Sequence, residues 1–214
     1  MNESLLSITT DTSIVSKETE INSSYESQTS RETDLKNHII NSIALSLNDI
    51  INENKANSKF VKQDIFYLSF VPPISLCDYI KRLVKYSKMD ISSLIISIIY
   101  IDNFFGKNNY YLTPNNIYRI LLSACLLSLK YNEDIIVNYK PYAEIAAVSV
   151  EDLKNLEFYM YLKLHFSLNV KYDLYKSYYD YLKKVLKDRY LLNHINEILA
   201  YYFVANYIFI LCSI

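Results

Sequence analysis

Catalysis or metal binding needs nucleophiles, bases or ligands at spacings that bring them together. The cysteines Cys77, Cys125 and Cys212 are far apart, odd in number and set in apolar surroundings, and the histidines His38, His165 and His194 cluster with nothing. Buried, reduced thiols are the plain reading, and no metal or cofactor is expected. The single glycine, Gly106, is too few for a phosphate-cradling loop, so nucleotide-binding enzymes of the Rossmann, P-loop or kinase kind are excluded. No nucleophile, base and orienter occur at a diagnostic spacing, so no enzyme activity and no small-molecule substrate are expected. The residues that stand out are charges in greasy settings. Lys130 follows nine apolar or small residues in "LLSACLLSLKYNED", and Glu157 follows Leu153 and Leu156. By themselves, a lysine ending a helix complements its macrodipole, and a mid-helix glutamate marks a solvated face.

The chain that must position these residues has 214 residues, 51% hydrophobic, with a formal net charge of −1. That is enough for one domain with a real core plus a tail. Near-neutral charge without a basic run argues against nucleic acid and anionic membrane surfaces as partners. The start of the chain carries acidic and hydroxyl residues rather than a charged-then-apolar signal. An intracellular location, cytoplasmic or nuclear, is therefore expected.

Residues 1–33 are rich in Ser, Thr and Glu and poor in aromatics, the composition of a disordered tail. From Asp34, a plausible N-cap, Leu35, Ile39, Ile43, Leu47 and Ile50 fall on one stripe, with Ile40, Ala44 and Ile51 beside it. This predicts an amphipathic helix, followed by a polar break, over residues 34–59. Ser75 and Asp78 have capping-box spacing after Pro72-Pro73. Asp90 predicts the start of a nearly all-apolar helix that Gly106 stops. Thr113-Pro114 predicts the start of another, running to about Tyr131, buried on most faces. A short helix after Pro141, a helix from Ser149 to about Leu164, an amphipathic helix over 172–188 and a very apolar one over 191–212 complete an all-α reading. Turn signals 15–25 residues apart favour helices over the strands that the isoleucine-rich runs would also allow.

The segments "PPISLCDYIKRLVKY", "SIIYIDNFF", "LTPNNIYRILLSACLLSLKYNED" and "PYAEIAAVSVEDLKNLEFYMYLKLHFSLNV" resemble, in order and spacing, the cyclin box of P-type and U-type cyclins. The resemblance covers residues 72–170 and implies a five-helix cyclin box, placed at 60–170, with an additional N-terminal helix and C-terminal helices at 171–214. It implies a regulatory subunit of a cyclin-dependent serine/threonine protein kinase, acting in cell-cycle or nutrient control. By the same resemblance, Arg82 and Asp102 match a structural ion pair, and Lys130 and Glu157 match the residues that hold the kinase by hydrogen bonds to backbone at the start of its αC helix. Leu122, Leu126, Leu129, Met160 and Tyr161, at helical spacing around those charges, are the candidate apolar anchors. The expected site is a trough between the third and fifth box helices with the cation and the carboxylate at its opposite ends.

Some positions depart from the family pattern. Asn103 replaces an arginine, Ala146-Ala147 a glycine pair, and Leu129 a small residue whose enlargement would alter the surface offered to the kinase. Residues 198–214, "ILAYYFVANYIFILCSI", carry no charge. They read as a last helix packed on the box, or as a tail anchor of near-spanning length. A helical adaptor for a non-kinase protein, membrane-tethered through that segment, is the competing reading.

Overall fold

In this computed structural model the described residues are 12–55, 64–108, 110–134 and 137–188. They contain seven helices and no strand: α1 (Thr12–Glu53), α2 (Leu76–Ser87), α3 (Ile91–Asn108), α4 (Ile117–Asn132), α5 (Tyr139–Ala146), α6 (Val150–Lys163) and α7 (172–188). Residues 1–37 form one unit and 38–214 a second, which holds α2 to α7. The all-α reading holds. Cys212, His194 and the apolar 198–214 segment lie outside the described residues.

The first difference from expectation is the start of α1. The helix begins at Thr12, not at Asp34. The first 53 residues contain neither Gly nor Pro, so no backbone breaker ends the helix upstream of Asp34. In the second unit the stripe behaves as its period requires. Ile39, Ile40, Ile43, Ala44, Leu47 and Ile51 are buried, whereas Ile50 is exposed.

The helix starts follow local chemistry. Ser75 Oγ accepts from the Asp78 amide at 3.0 Å and Ser149 Oγ from the Asp152 amide at 2.9 Å. Each satisfies a donor that helix geometry leaves orphaned. Two other boundaries move. Gly106 does not stop α3, which runs on to Asn108. There the side chain donates back to the Phe104 carbonyl at 2.8 Å and closes the last turn. Thr113-Pro114 does not open α4. Asn116 accepts from the Thr113 amide (2.8 Å) and donates to the Tyr111 carbonyl (2.8 Å), so one tight turn precedes the helix, which starts at Ile117.

α4 is the centre, packed by α2, α3 and α6, while α5 bridges α2 and α6. Every residue from Ile120 to Leu129 is buried. Small residues let α3 and α4 approach. Ser128 Oγ donates to the Ser93 carbonyl at 2.6 Å, and Cys125 Sγ meets Ser97 Oγ at 3.5 Å. These rungs run in opposite senses along the two helices, so the pair is antiparallel. Buried Ser97 and Ser123 hydroxyls return to carbonyls of their own helices, which removes most of the cost of burying them. Burial pushes the Cys125 thiol up to about 12, so it is an inert core group.

α5 ends on Ala147 at φ 56°, in the left-handed region where the expected glycine would be unstrained. The Val148 amide reaches back to the Ala143 carbonyl at 3.0 Å and completes a Schellman-type stop. A left-handed non-glycine residue costs about 1 kcal/mol. Ala147→Gly should therefore stabilise the protein by about 1 kcal/mol. A urea midpoint that stays put or falls would show that the strain is relieved elsewhere.

Candidate functional site

The two charges singled out by sequence come together, but not as two ends of a trough. Lys130, in the last turn of α4, and Glu157, in α6, form a direct ion pair. Lys130 Nζ lies 2.8 Å from Glu157 Oε1 and 2.9 Å from Oε2. A third residue completes the cluster. Tyr139, the first residue of α5, accepts from Lys130 Nζ at 2.6 Å and donates its own hydroxyl proton to Glu157 Oε2. The Lys130 ammonium also stands 4.0 Å from the Tyr139 ring centroid, with Lys154 at 5.4 Å. Side-chain exposure is 28% for Lys130 and 12% for Glu157, so the pair sits at an edge rather than in the core.

Burial works against the charge on Lys130, but hydrogen bonds to Glu157 and Tyr139 outweigh it and its pKa is raised above the usual lysine value. The Tyr139 phenol is raised as well, by burial first and then by its bond to Glu157. A pKa raised in the folded state gives stability that is complete below the unfolded value and lost as pH climbs through the folded one. The stability gap between wild type and Lys130→Met should accordingly hold up to about pH 10, near the unfolded lysine value, and narrow as the pH is raised above it. Thermal melts in that range check this, and a gap constant with pH would contradict it.

The proposed anchors divide. Leu122, Leu126, Leu129 and Met160 are all buried, at 2% exposure or less, and serve as core. None offers side-chain surface to a partner: the three leucines are enclosed by the helices around α4, and Met160 lies on the buried stripe of α6. Leu129 therefore does not alter any outer surface. Only Tyr161 is part-exposed, and its ring packs edge-on against Phe166 at 4.9 Å. A groove of ≈ 510 Å³ between α2, α4, the end of α5 and residues 68–74 includes Leu122 but neither Lys130 nor Glu157.

The exposed apolar residues at the end of α4, along α6 and in the turn after it are others: Tyr131, Phe158, Leu162 and Phe166. At about 100° per residue, α6 presents Glu157, Tyr161, Phe158 and Leu162 in that order, moving round from its buried stripe of Leu153, Leu156 and Met160. The opposite flank is occupied. Tyr159 packs against Phe66 at 5.4 Å, and the Lys163 carbonyl accepts from Asn108 at 3.2 Å. Phe166 is turned back by consecutive left-handed residues, His165 at φ 57° and Phe166 at φ 58°, with its amide bonded to the Tyr161 carbonyl. A signal for Tyr131 and Phe158 was present in the sequence, since each directly follows one of the two charges. Nothing in the spacing pointed to Tyr139.

Arg82 and Asp102 do not pair. Arg82 Nε donates to the Ile145 carbonyl at 2.7 Å, near the carbonyl end of α5, where a cation is favoured. Asp102 accepts from the Tyr178 hydroxyl of α7. The two side chains line different grooves on different helix contacts, so sequence matching paired residues that the packing separates. Among the described residues no group of histidine, cysteine and carboxylate side chains is placed to hold a metal ion, and no helix is long and apolar enough to cross a membrane.

The class these features define is an all-α bundle built around one buried helix, with a charged cluster and exposed aromatics along one edge. A model of the Cyclin family matches residues 1–168, and the chain belongs to that family. The match takes in α1 to α6 and ends before α7. Relatives include plant cyclins of the U and P types, which supports the resemblance drawn from the sequence. The chain is 29% identical to Cyclin-U2-1 of Arabidopsis thaliana over 58% of this chain and 57% of that one. It is 27% identical to Cyclin-P3-1 of Oryza sativa subsp. japonica over 62% and 57%. With Cyclin-U2-2 of Arabidopsis thaliana the identity is 26% over 75% and 73%. The chain thus spans little more than half the length of the first two relatives. Membership fits a regulatory rather than a catalytic role.

Proposed function

We propose that this cyclin binds and activates a cyclin-dependent serine/threonine protein kinase through the edge formed by α4 and α6, with residues 60–170 as its box. The observation that carries the reading is the part-exposed Lys130–Glu157 pair, each member followed directly in the chain by an exposed aromatic, Tyr131 and Phe158, with exposed Phe166 packed on Tyr161 one turn beyond Glu157. A kinase needs a strand lysine paired with a glutamate of its αC helix before ATP is oriented. A rigid surface that binds only the inward αC helix shifts the population towards that state. Moving such an equilibrium from mostly off to mostly on takes about 5.5 kcal/mol of differential binding.

The polar pair cannot supply that alone, because its hydrogen bonds are already satisfied internally and binding only exchanges them. Burying an exposed apolar side chain yields roughly 1.5–3 kcal/mol. Three or four such residues match the requirement before association costs are subtracted. On this reading the aromatics supply affinity, and Lys130 and Glu157 set the register of the αC helix. Affinity purification from native cells, with a protein kinase assay of the eluate, tests it. Recovery of other proteins without kinase activity would favour the adaptor reading instead.

A further inference from the structure

All three protons of the Lys130 ammonium are committed in this structure. Nζ is within 2.9 Å of both Glu157 oxygens and 2.6 Å from the Tyr139 hydroxyl. An ammonium has three donors and no acceptor. A carbonyl of another protein can therefore reach Lys130 only by displacing one of these bonds. Glu157 is the costly one to displace. It is the counter-charge, nearly nine-tenths buried, and parting the two would leave both charges uncompensated.

The Tyr139 oxygen is neutral and sits in the first turn of the eight-residue α5. Like a peptide carbonyl, it offers an uncharged oxygen to the ammonium. Like a peptide amide, its hydroxyl donates to Glu157 Oε2. The geometry points to Tyr139 as an internal stand-in for the kinase backbone, occupying the Lys130 donor and the Glu157 acceptor that the kinase takes over on binding. The inference rests on the kinase-binding reading above and adds to it a positioning residue that sets affinity by competition. The Tyr139 ring, stacked under Lys130 and Lys154, keeps its cation contacts without the hydroxyl. Tyr139→Phe therefore removes the competing group and little else.

The test is titration of wild type and Tyr139→Phe against the purified kinase subunit that the wild-type chain retains. Thermal melts of the free proteins run alongside. Binding by Tyr139→Phe should be about 2- to 10-fold tighter, the worth of one ordinary hydrogen bond, with a melting temperature equal to or below that of wild type. A merely structural tyrosine would weaken both. Equal or weaker binding by the variant overturns the role given to Tyr139 and leaves the kinase reading standing. A wild-type chain that retains no kinase overturns the kinase reading and this inference together.

Discussion

Exchanging the two charges, Lys130→Glu with Glu157→Lys, is expected to leave the helical fold intact and to abolish kinase co-purification. The expectation follows from contact. Lys130 and Glu157 touch, so either single reversal sets like charges within hydrogen-bond reach and should lower the melting temperature. The double exchange restores an internal ion pair of the same geometry. What it cannot restore is polarity towards another molecule. On the proposed reading, a kinase carbonyl that meets the ammonium of the wild type would meet a carboxylate instead, and an amide that meets the carboxylate would meet an ammonium. Disrupting one member of a hydrogen-bonded charge contact at an interface costs on the order of 2–5 kcal/mol, a loss of about thirty-fold or more. The measurement is circular dichroism and melting of all three variants, beside kinase recovered on each. If the double exchange regains both stability and kinase, the pair is only a strut between α4 and α6.

Leu126→Ala is expected to lose roughly 2–5 kcal/mol of folding stability, a large fraction of what a domain has. Leu126 lies in the middle of α4 and is wholly buried, so truncation leaves a cavity enclosed by neighbouring helices. Phe158, 63% exposed, is the counter-case. Phe158→Ala should change stability by no more than about 0.5 kcal/mol and weaken kinase binding about ten-fold or more. Urea unfolding and kinase titration of the two variants separate core from anchor. Should Leu126→Ala unfold like wild type while losing the kinase, the division between buried and binding residues drawn above would be reversed.

The contrast between these residues shows where sequence reading succeeds. Leu126, one turn before Lys130, and Phe158, directly after Glu157, are both large apolar residues close to a charge. Periodicity puts both on a helix and cannot say which has a neighbour over it. The aromatic following each charge, Tyr131 after Lys130 and Phe158 after Glu157, was a usable cue for the outer surface. Apolar residues one turn away look equally suited to contact, so sequence alone does not decide between them. Arg82 and Asp102 failed for a related reason. Their types fit an ion pair, but each carries a charge that any nearby carbonyl or hydroxyl can satisfy. Packing delivered Ile145 to the one and Tyr178 to the other.

The sequence by itself determined the helical class, the order of the helices after α1, the caps at Ser75 and Ser149 and the burial of α4. These depend on residues within one or two turns of each other, where backbone geometry leaves few choices. Tertiary structure alone decided that Lys130 and Glu157 meet, that Tyr139 completes their cluster, and that Leu122, Leu126, Leu129 and Met160 face inward. Those outcomes depend on helices far apart in the chain coming to rest against one another. The free energy of that packing is shared among many contacts, and no local pattern encodes it.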